Sequence, residues 1–233
     1  MYCETVSIEG AGGLTLTAEA NGESGAMPVL LAHGGGQTRR AWKNVVGDLA
    51  EAGFHAIAID MAGILAEGDL APGSFASLTL VDIAPQMEVS GVNRIVGFME
   101  EHIETGFASP EEASEAIARY MPLRRKRSSG EGLRNYLRHK ADGRYYWHWD
   151  PAFILSSRTV SKRDEGRHQR QFEALSQATQ NLTLPVHLIR GGSSDLVSED
   201  AVEHLRELAP HAEYTDIAGA THMVVGDAND SFS

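Results

Sequence analysis

Three short stretches of this 233-residue chain hold residue types that do chemistry when they are brought together. His33-Gly34-Gly35-Gly36 is a glycine run. Glycines let a backbone turn sharply and aim N–H groups at a developing oxyanion with no side chain in the way. Asp195, in Gly191-Gly192-Ser193-Ser194-Asp195, offers a carboxylate that can hold an imidazole in one tautomer and stabilise its protonated form. His222, in Gly219-Ala220-Thr221-His222-Met223, offers the imidazole. Singly, each has an ordinary structural reading: a glycine-rich turn, a turn or helix-cap aspartate, an exposed loop histidine. In combination they suit acyl transfer, with a base, an orienting acid and an oxyanion cradle.

The surrounding elements explain how such residues can meet. Thr5–Glu9 and Leu14–Glu19 alternate and flank Gly10–Gly13, as in a hairpin of half-buried strands. Pro28–Ala32 is a continuous apolar run, expected of a strand covered on both faces. A helix follows, with Trp42, Val45, Val46, Leu49 and Ala50 on one face and Gly53 as its stop, and then a strand over Phe54–Asp60. Strand, glycine loop, helix and strand make a βαβ unit, hence an α/β fold with a largely parallel sheet. Further strands are expected at Leu78–Ile83, Val186–Arg190 and Ala212–Ile217. Helices are expected near 88–104, 110–121, 131–140, 164–178 and 198–208. The helix near 110 carries Ser109 as its cap, Pro110 at its first position and Glu112 three residues after the cap. The three chemical stretches then fall just beyond the carboxyl ends of strands, where open parallel sheets place their sites.

Oxyanion loop, acid and histidine, in that chain order and each after its own strand, resemble the α/β-hydrolase superfamily. The resemblance spans nearly the whole chain and is greatest to small serine hydrolases and esterases with a helical cap. It rests on Leu31–Thr38, Leu80–Pro85, Leu188–Asp195 and Ala218–Met223, in that order. It implies an α/β-hydrolase fold, with a mostly parallel central sheet flanked by helices. The core is 1–85 and 181–233, and 86–180 is a helical cap insertion. It further implies Asp195 as triad acid, His222 as general base and Gly34, Gly35 and Gly36 as the oxyanion-hole side. Asp82, at the end of its strand, is the second choice for the acid, since some relatives carry it there. No cofactor is implied.

The nucleophile of the pattern is missing. The family sets it on a strained strand-to-helix turn, G-x-S-x-G or close to it, at the centre of the sheet. Only residues 61–77 separate the strand ending at Asp60 from the one starting at Leu78. A helix, a strand, the elbow and another helix need on the order of 50–70 residues. No serine, cysteine or aspartate in the chain has the elbow's flanking glycines. Met61–Gly68 resembles the helix that normally follows the elbow, joined directly to Asp60. The economical reading is an internal deletion, and the chain also stops at Ser233, where the family's final helix is expected to begin. Ser74 and Ser77 fall in the shortened region without the elbow pattern, and Asp60 reads as structural. Loss of the strand should bring the strands at 28–32 and 78–83 together, or leave a break between them.

Composition narrows the function further. The 20 basic and 32 acidic side chains give a net charge of −12, which disfavours nucleic acid as a main partner. No apolar run is long enough to span a membrane, and no signal-peptide pattern opens the chain. The single cysteine, Cys3, suits a reducing, cytoplasmic setting and excludes a cysteine zinc site. The ten histidines show no metal-binding spacing. Within the expected cap lie a basic run (Arg124, Arg125, Lys126, Arg127, Arg134, Arg138 and Lys140) and the aromatic cluster Tyr145–Trp149. The basic run reads as a solvated helical face or as a contact for an anion. Trp147 and Trp149, with His33, are candidates for a pocket lining.

The expectation is therefore a scaffold whose complete relatives hydrolyse a small ester-like substrate by a Ser-His-Asp route, with catalysis absent or greatly weakened here. An aspartate-nucleophile relative (epoxide hydrolase or dehalogenase type) and a non-catalytic small-molecule-binding protein are the alternatives.

Overall fold

The computed structural model describes residues 4–9, 15–35, 37–59, 75–121, 130–149, 151, 154 and 166–222. The chain forms two compact units, Met1–Ser74 with Asn229–Ser233, and Phe75–Ala228.

In the first unit, β1 (Glu4–Glu9) and β2 (Thr15–Asn21) pair antiparallel with Ser7 opposite Thr17. β2 pairs antiparallel with β4 (His55–Ile59), and β3 (Pro28–Ala32) pairs parallel with β4, Leu30 opposite Ile57. The order is β1-β2-β4-β3. The central strands are covered on both faces: Ala56 and Ala58 are buried on one, Ile59 and its register partner Ala18 on the other. The helix α1 (Lys43–Glu51) is entered through a 3-10 turn, Arg39–Trp42, whose cap Thr38 accepts from the Arg40 amide. It ends just before Gly53, as its sequence predicts, and the Phe54 amide closes back on the Leu49 carbonyl at 3.0 Å. β3 departs from expectation: Leu31 is buried, but Leu30 is 49% exposed. Its apolar run reads as a two-sided strand, yet β3 is the last strand of its sheet and buries one face only.

The second unit is built on a parallel sheet, β5 (Leu78–Val81), β8 (Val186–Gly191) and β9 (Glu213–Ile217), in that order. The register sets Val81 opposite Ile189 and Ile189 opposite Thr215. Leu188, Val197, Ala201, Val202 and Leu205 form its core, the last three from α6 (Glu199–Leu208). Ser198 caps α6 by accepting from the Ala201 amide at 3.2 Å. β3 and β5 belong to separate sheets and do not pair with each other among the described residues, so of the two expected outcomes, direct pairing or a break, pairing is not the one seen. The junction itself, from Asp60 through Ser74, lies outside the described residues, as does the Gly10–Gly13 turn.

Between β5 and β8 come α2 (Val89–Glu100), α3 (Pro110–Tyr120), a short α4 (Gly130–Leu133), a hairpin of β6 (Leu137–His139) and β7 (Tyr145–Trp147), and α5 (Arg167–Gln180). Ser109 caps α3 by accepting from the Glu112 amide, and the Glu112 carboxylate returns to the Ala108 amide. Phe107, Ala113, Ala116, Leu133 and Trp147 make a second core. The helix expected over 131–140 stops at Leu133 and continues as a 3-10 turn, Arg134–Tyr136, before β6 begins. Pairing of Leu137 with Trp147 and His139 with Tyr145, across a turn at Asp142-Gly143, overrides the helical pattern. The segment between β5 and β8 is thus helical with a hairpin in it. Of the basic run, Arg124–Arg127 lie outside the described residues.

Candidate functional site

Asp82 follows β5 directly, in the left-handed region at φ 51, and its side chain is wholly buried. Its amide extends the parallel ladder by donating to the Ile189 carbonyl at 2.7 Å. A non-glycine residue held in this conformation is costly unless its surroundings determine it. Here they do. The Gly191 amide donates to Oδ1 at 2.9 Å, and the Ser194 hydroxyl donates to Oδ2 at 2.6 Å. Ser194 Oγ in turn accepts from the Leu196 and Val197 amides at 3.1 and 3.2 Å.

The third partner of this carboxylate is His222, whose Nδ1 lies 2.8 Å from Asp82 Oδ2. The loop after β9 brings it there. The Gly192 amide donates to the Ile217 carbonyl at 2.9 Å and the Ser193 amide to the Ala220 carbonyl at 2.8 Å, stitching the β8 loop to the β9 loop. Gly191 permits this close approach, since a Cβ there would overlap the Thr221 carbonyl oxygen. The His222 side chain is 28% exposed, and its Nε2 makes no hydrogen bond among the described residues. An imidazole donating through Nδ1–H to a carboxylate keeps its lone pair on Nε2, the state of a general base.

Asp195 is the expected partner of His222, and the structure places it elsewhere. Its carboxylate pairs with Arg94 of α2 at 2.5 Å. The physical reason is the turn itself. Ser194 faces inward and spends its hydroxyl on Asp82, whereas Asp195 packs its backbone against Gly91, where any Cβ would overlap the Asp195 carbonyl oxygen, and turns its carboxylate to the same helix. The acid beside the imidazole is therefore the second choice, Asp82. Sequence reasoning missed Ser194 and Arg94 altogether; the repeated serine in Gly-Gly-Ser-Ser-Asp was the available signal for the first.

Arg94 begins a run of ring contacts. Its guanidinium lies 4.9 Å from the Tyr120 ring centroid, and Tyr120 stacks on Phe98 at 4.3 Å. Burial pushes the Tyr120 phenol above its usual range, with Arg94 acting in the opposite sense. Phe98 lies 5.7 Å from Trp147, which stacks on Trp149 at 4.7 Å.

The glycine loop belongs to the first unit. The Gly34 amide donates to the Gln37 side-chain oxygen at 3.2 Å, and His33 Nδ1–H donates to the Gly34 carbonyl at 2.8 Å. The Gly34 amide is thus already engaged. Gly36 lies outside the described residues. No group of three or more His, Cys, Asp or Glu able to hold a metal occurs among the described residues. Likewise, no described helix is long and apolar enough to cross a membrane.

No protein-family model matches the sequence, and no curated protein matches it significantly. Solved structures do match. An E-2-(acetamidomethylene)succinate hydrolase aligns over 99% of this chain and 96% of its own, at TM-score 0.74 and 17% identity. An alpha/beta hydrolase from Novosphingobium aromaticivorans aligns over 98% and 95%, at TM-score 0.68 and 18% identity. This chain has the α/β-hydrolase fold. The thioesterase domain of the curacin biosynthetic pathway shares it, at TM-score 0.68, 19% identity and 98% and 96% coverage. In this chain Asp82, just after β5, and His222, in the loop after β9, are hydrogen-bonded to each other.

Proposed function

We propose that this chain is a hydrolase scaffold for a small ester-like substrate that keeps the base and its orienting acid but lacks the attacking serine. The observation that carries the reading is the Asp82–His222 pair, a buried carboxylate 2.8 Å from a partly exposed imidazole whose Nε2 makes no hydrogen bond among the described residues. His222 takes the role of general base and Asp82 that of the acid that fixes its tautomer. Gly35 and Gly36 are the remaining candidates for oxyanion donors, and residues 86–180 act as the cap. In a complete relative a serine attacks the acyl carbon, its proton passes to His222 Nε2, and water later releases the acyl group. In this chain the first of those steps has no donor atom in the elbow pattern, so the covalent route is lost and turnover falls to a residue at most. The hydrolase and thioesterase names among the structural neighbours support a small-molecule substrate.

Hydrolysis of short p-nitrophenyl esters by the full chain tests this. The expected result is a rate indistinguishable from that of His222→Ala. A wild-type rate that His222→Ala abolishes overturns it.

A further inference from the structure

We propose that the cavity lined by Arg138, Lys140, Tyr146, Trp147 and Trp149 binds the carboxylate of a small organic acid. The cavity measures about 50 Å³ and is bordered also by Ile103 and Pro151. Its walls come from the β6–β7 hairpin and the residues just beyond it. Arg138 lies opposite Tyr146 in the hairpin register, so the two share a face, and Lys140, two residues on, continues that face. Lys140 Nζ sits 3.8 Å from the Tyr146 ring centroid.

Two cations border the cavity, and no carboxylate does among the described residues; Asp150, between Trp149 and Pro151, lies outside them. The nearby acid Asp142 is turned to the hairpin turn, accepting from the Tyr146 hydroxyl at 2.7 Å and from the Arg144 amide at 3.0 Å. Arg138 makes no ion pair among the described residues. An anion is the ligand that two cations bordering one cavity draw in.

Size and lining choose among anions. A volume of this order holds roughly three to five water-sized groups. That is the space of a carboxylate with one or two further carbons. The Trp147–Trp149 stack offers hydrocarbon surface that an inorganic anion leaves unused. None of the lining residues is hydrogen-bonded to Asp82, Ser194 or His222, so the site does not depend on the proposed hydrolytic role.

Titration of the full chain with sodium propionate, sodium phosphate and sodium chloride at matched ionic strength tests the proposal. Tryptophan emission and calorimetry follow binding. Saturable binding of propionate is expected, with a Kd of about 1 mM or tighter and no saturation by chloride. Arg138→Gln and Lys140→Gln, both at exposed positions that leave the core intact, should each weaken it by about tenfold. His222→Ala should bind propionate as the wild type does, which separates this site from the hydrolytic reading. The proposal is overturned if wild type shows no saturation, if both variants bind as wild type, or if phosphate saturates at equal or lower concentration than propionate. The first two outcomes mean a solvated basic face only.

Discussion

The Asp82 carboxylate, with no exposed surface, holds the Nδ1 of a His222 ring that keeps about a quarter of its side-chain surface in solvent, at 2.8 Å. The carboxylate is fixed by two further hydrogen bonds, from the Gly191 amide and the Ser194 hydroxyl; the ring's Nε2 makes no hydrogen bond among the described residues.

That asymmetry predicts which carboxylate matters. Asp82→Ala strands the Gly191 amide and the Ser194 hydroxyl in buried surroundings and should cost about 3 kcal/mol. Asp195→Ala removes only a pair whose members are 50% and 37% exposed, and should cost less than about 1 kcal/mol. Urea denaturation of the two variants measures the difference. The downfield Nδ1–H proton resonance of His222 should persist in Asp195→Ala and vanish in Asp82→Ala.

Ser194 is expected to matter for the fold although it attacks nothing. Ser194→Ala deletes an acceptor for two amides and a donor to Asp82, for an expected loss of about 2–3 kcal/mol. Ser193→Ala serves as the neighbouring control, with a loss within about 0.5 kcal/mol. Equal effects of the two substitutions would contradict the network.

Gly91 and Gly191 should tolerate no side chain. Alanine at either position overlaps a backbone oxygen, that of Asp195 for Gly91 on α2 and that of Thr221 for Gly191. Each substitution should cost about 2 kcal/mol or more. Gly97→Ala, on the same helix as Gly91 but facing open space, should be neutral or stabilising.

The β6–β7 turn should respond to acid late. The Arg144 amide and the Tyr146 hydroxyl hold the Asp142 carboxyl below the ordinary carboxylate range. A lowered folded pKa means that its stabilising contribution is complete above the unfolded value of about 3.9 and disappears as pH falls through the folded value. A carboxyl-carbon NMR titration should therefore place the Asp142 midpoint below that of a model peptide, and Tyr146→Phe should move it back upward.

Much of this architecture was legible in the residues. Ser109, Pro110 and Glu112 announced the start of α3, and strands ending near Asp82, Gly191 and Ile217 announced where the site must lie. The identity of the acid was not legible. Asp82 and Asp195 each follow a strand, and which one faces His222 depends on the register that sets Val81 beside Ile189 and so brings the Gly191 amide and Ser194 onto Asp82. No local pattern encodes that choice. The hairpin was half legible: Asp142-Gly143 is a turn signal, but the apolar spacing of Leu133, Tyr136 and Leu137 is equally that of a helix. For β3 the apolar run reported hydrophobicity and not coverage, because coverage depends on which strands stand beside it.

The chain of contacts from Asp195 through Arg94, Tyr120, Phe98 and Trp147 to Trp149 has a practical corollary. It yokes the loop next to the imidazole to an intrinsic fluorophore, so light emitted by the indoles becomes a gauge of whether the Arg94 clamp is shut or sprung.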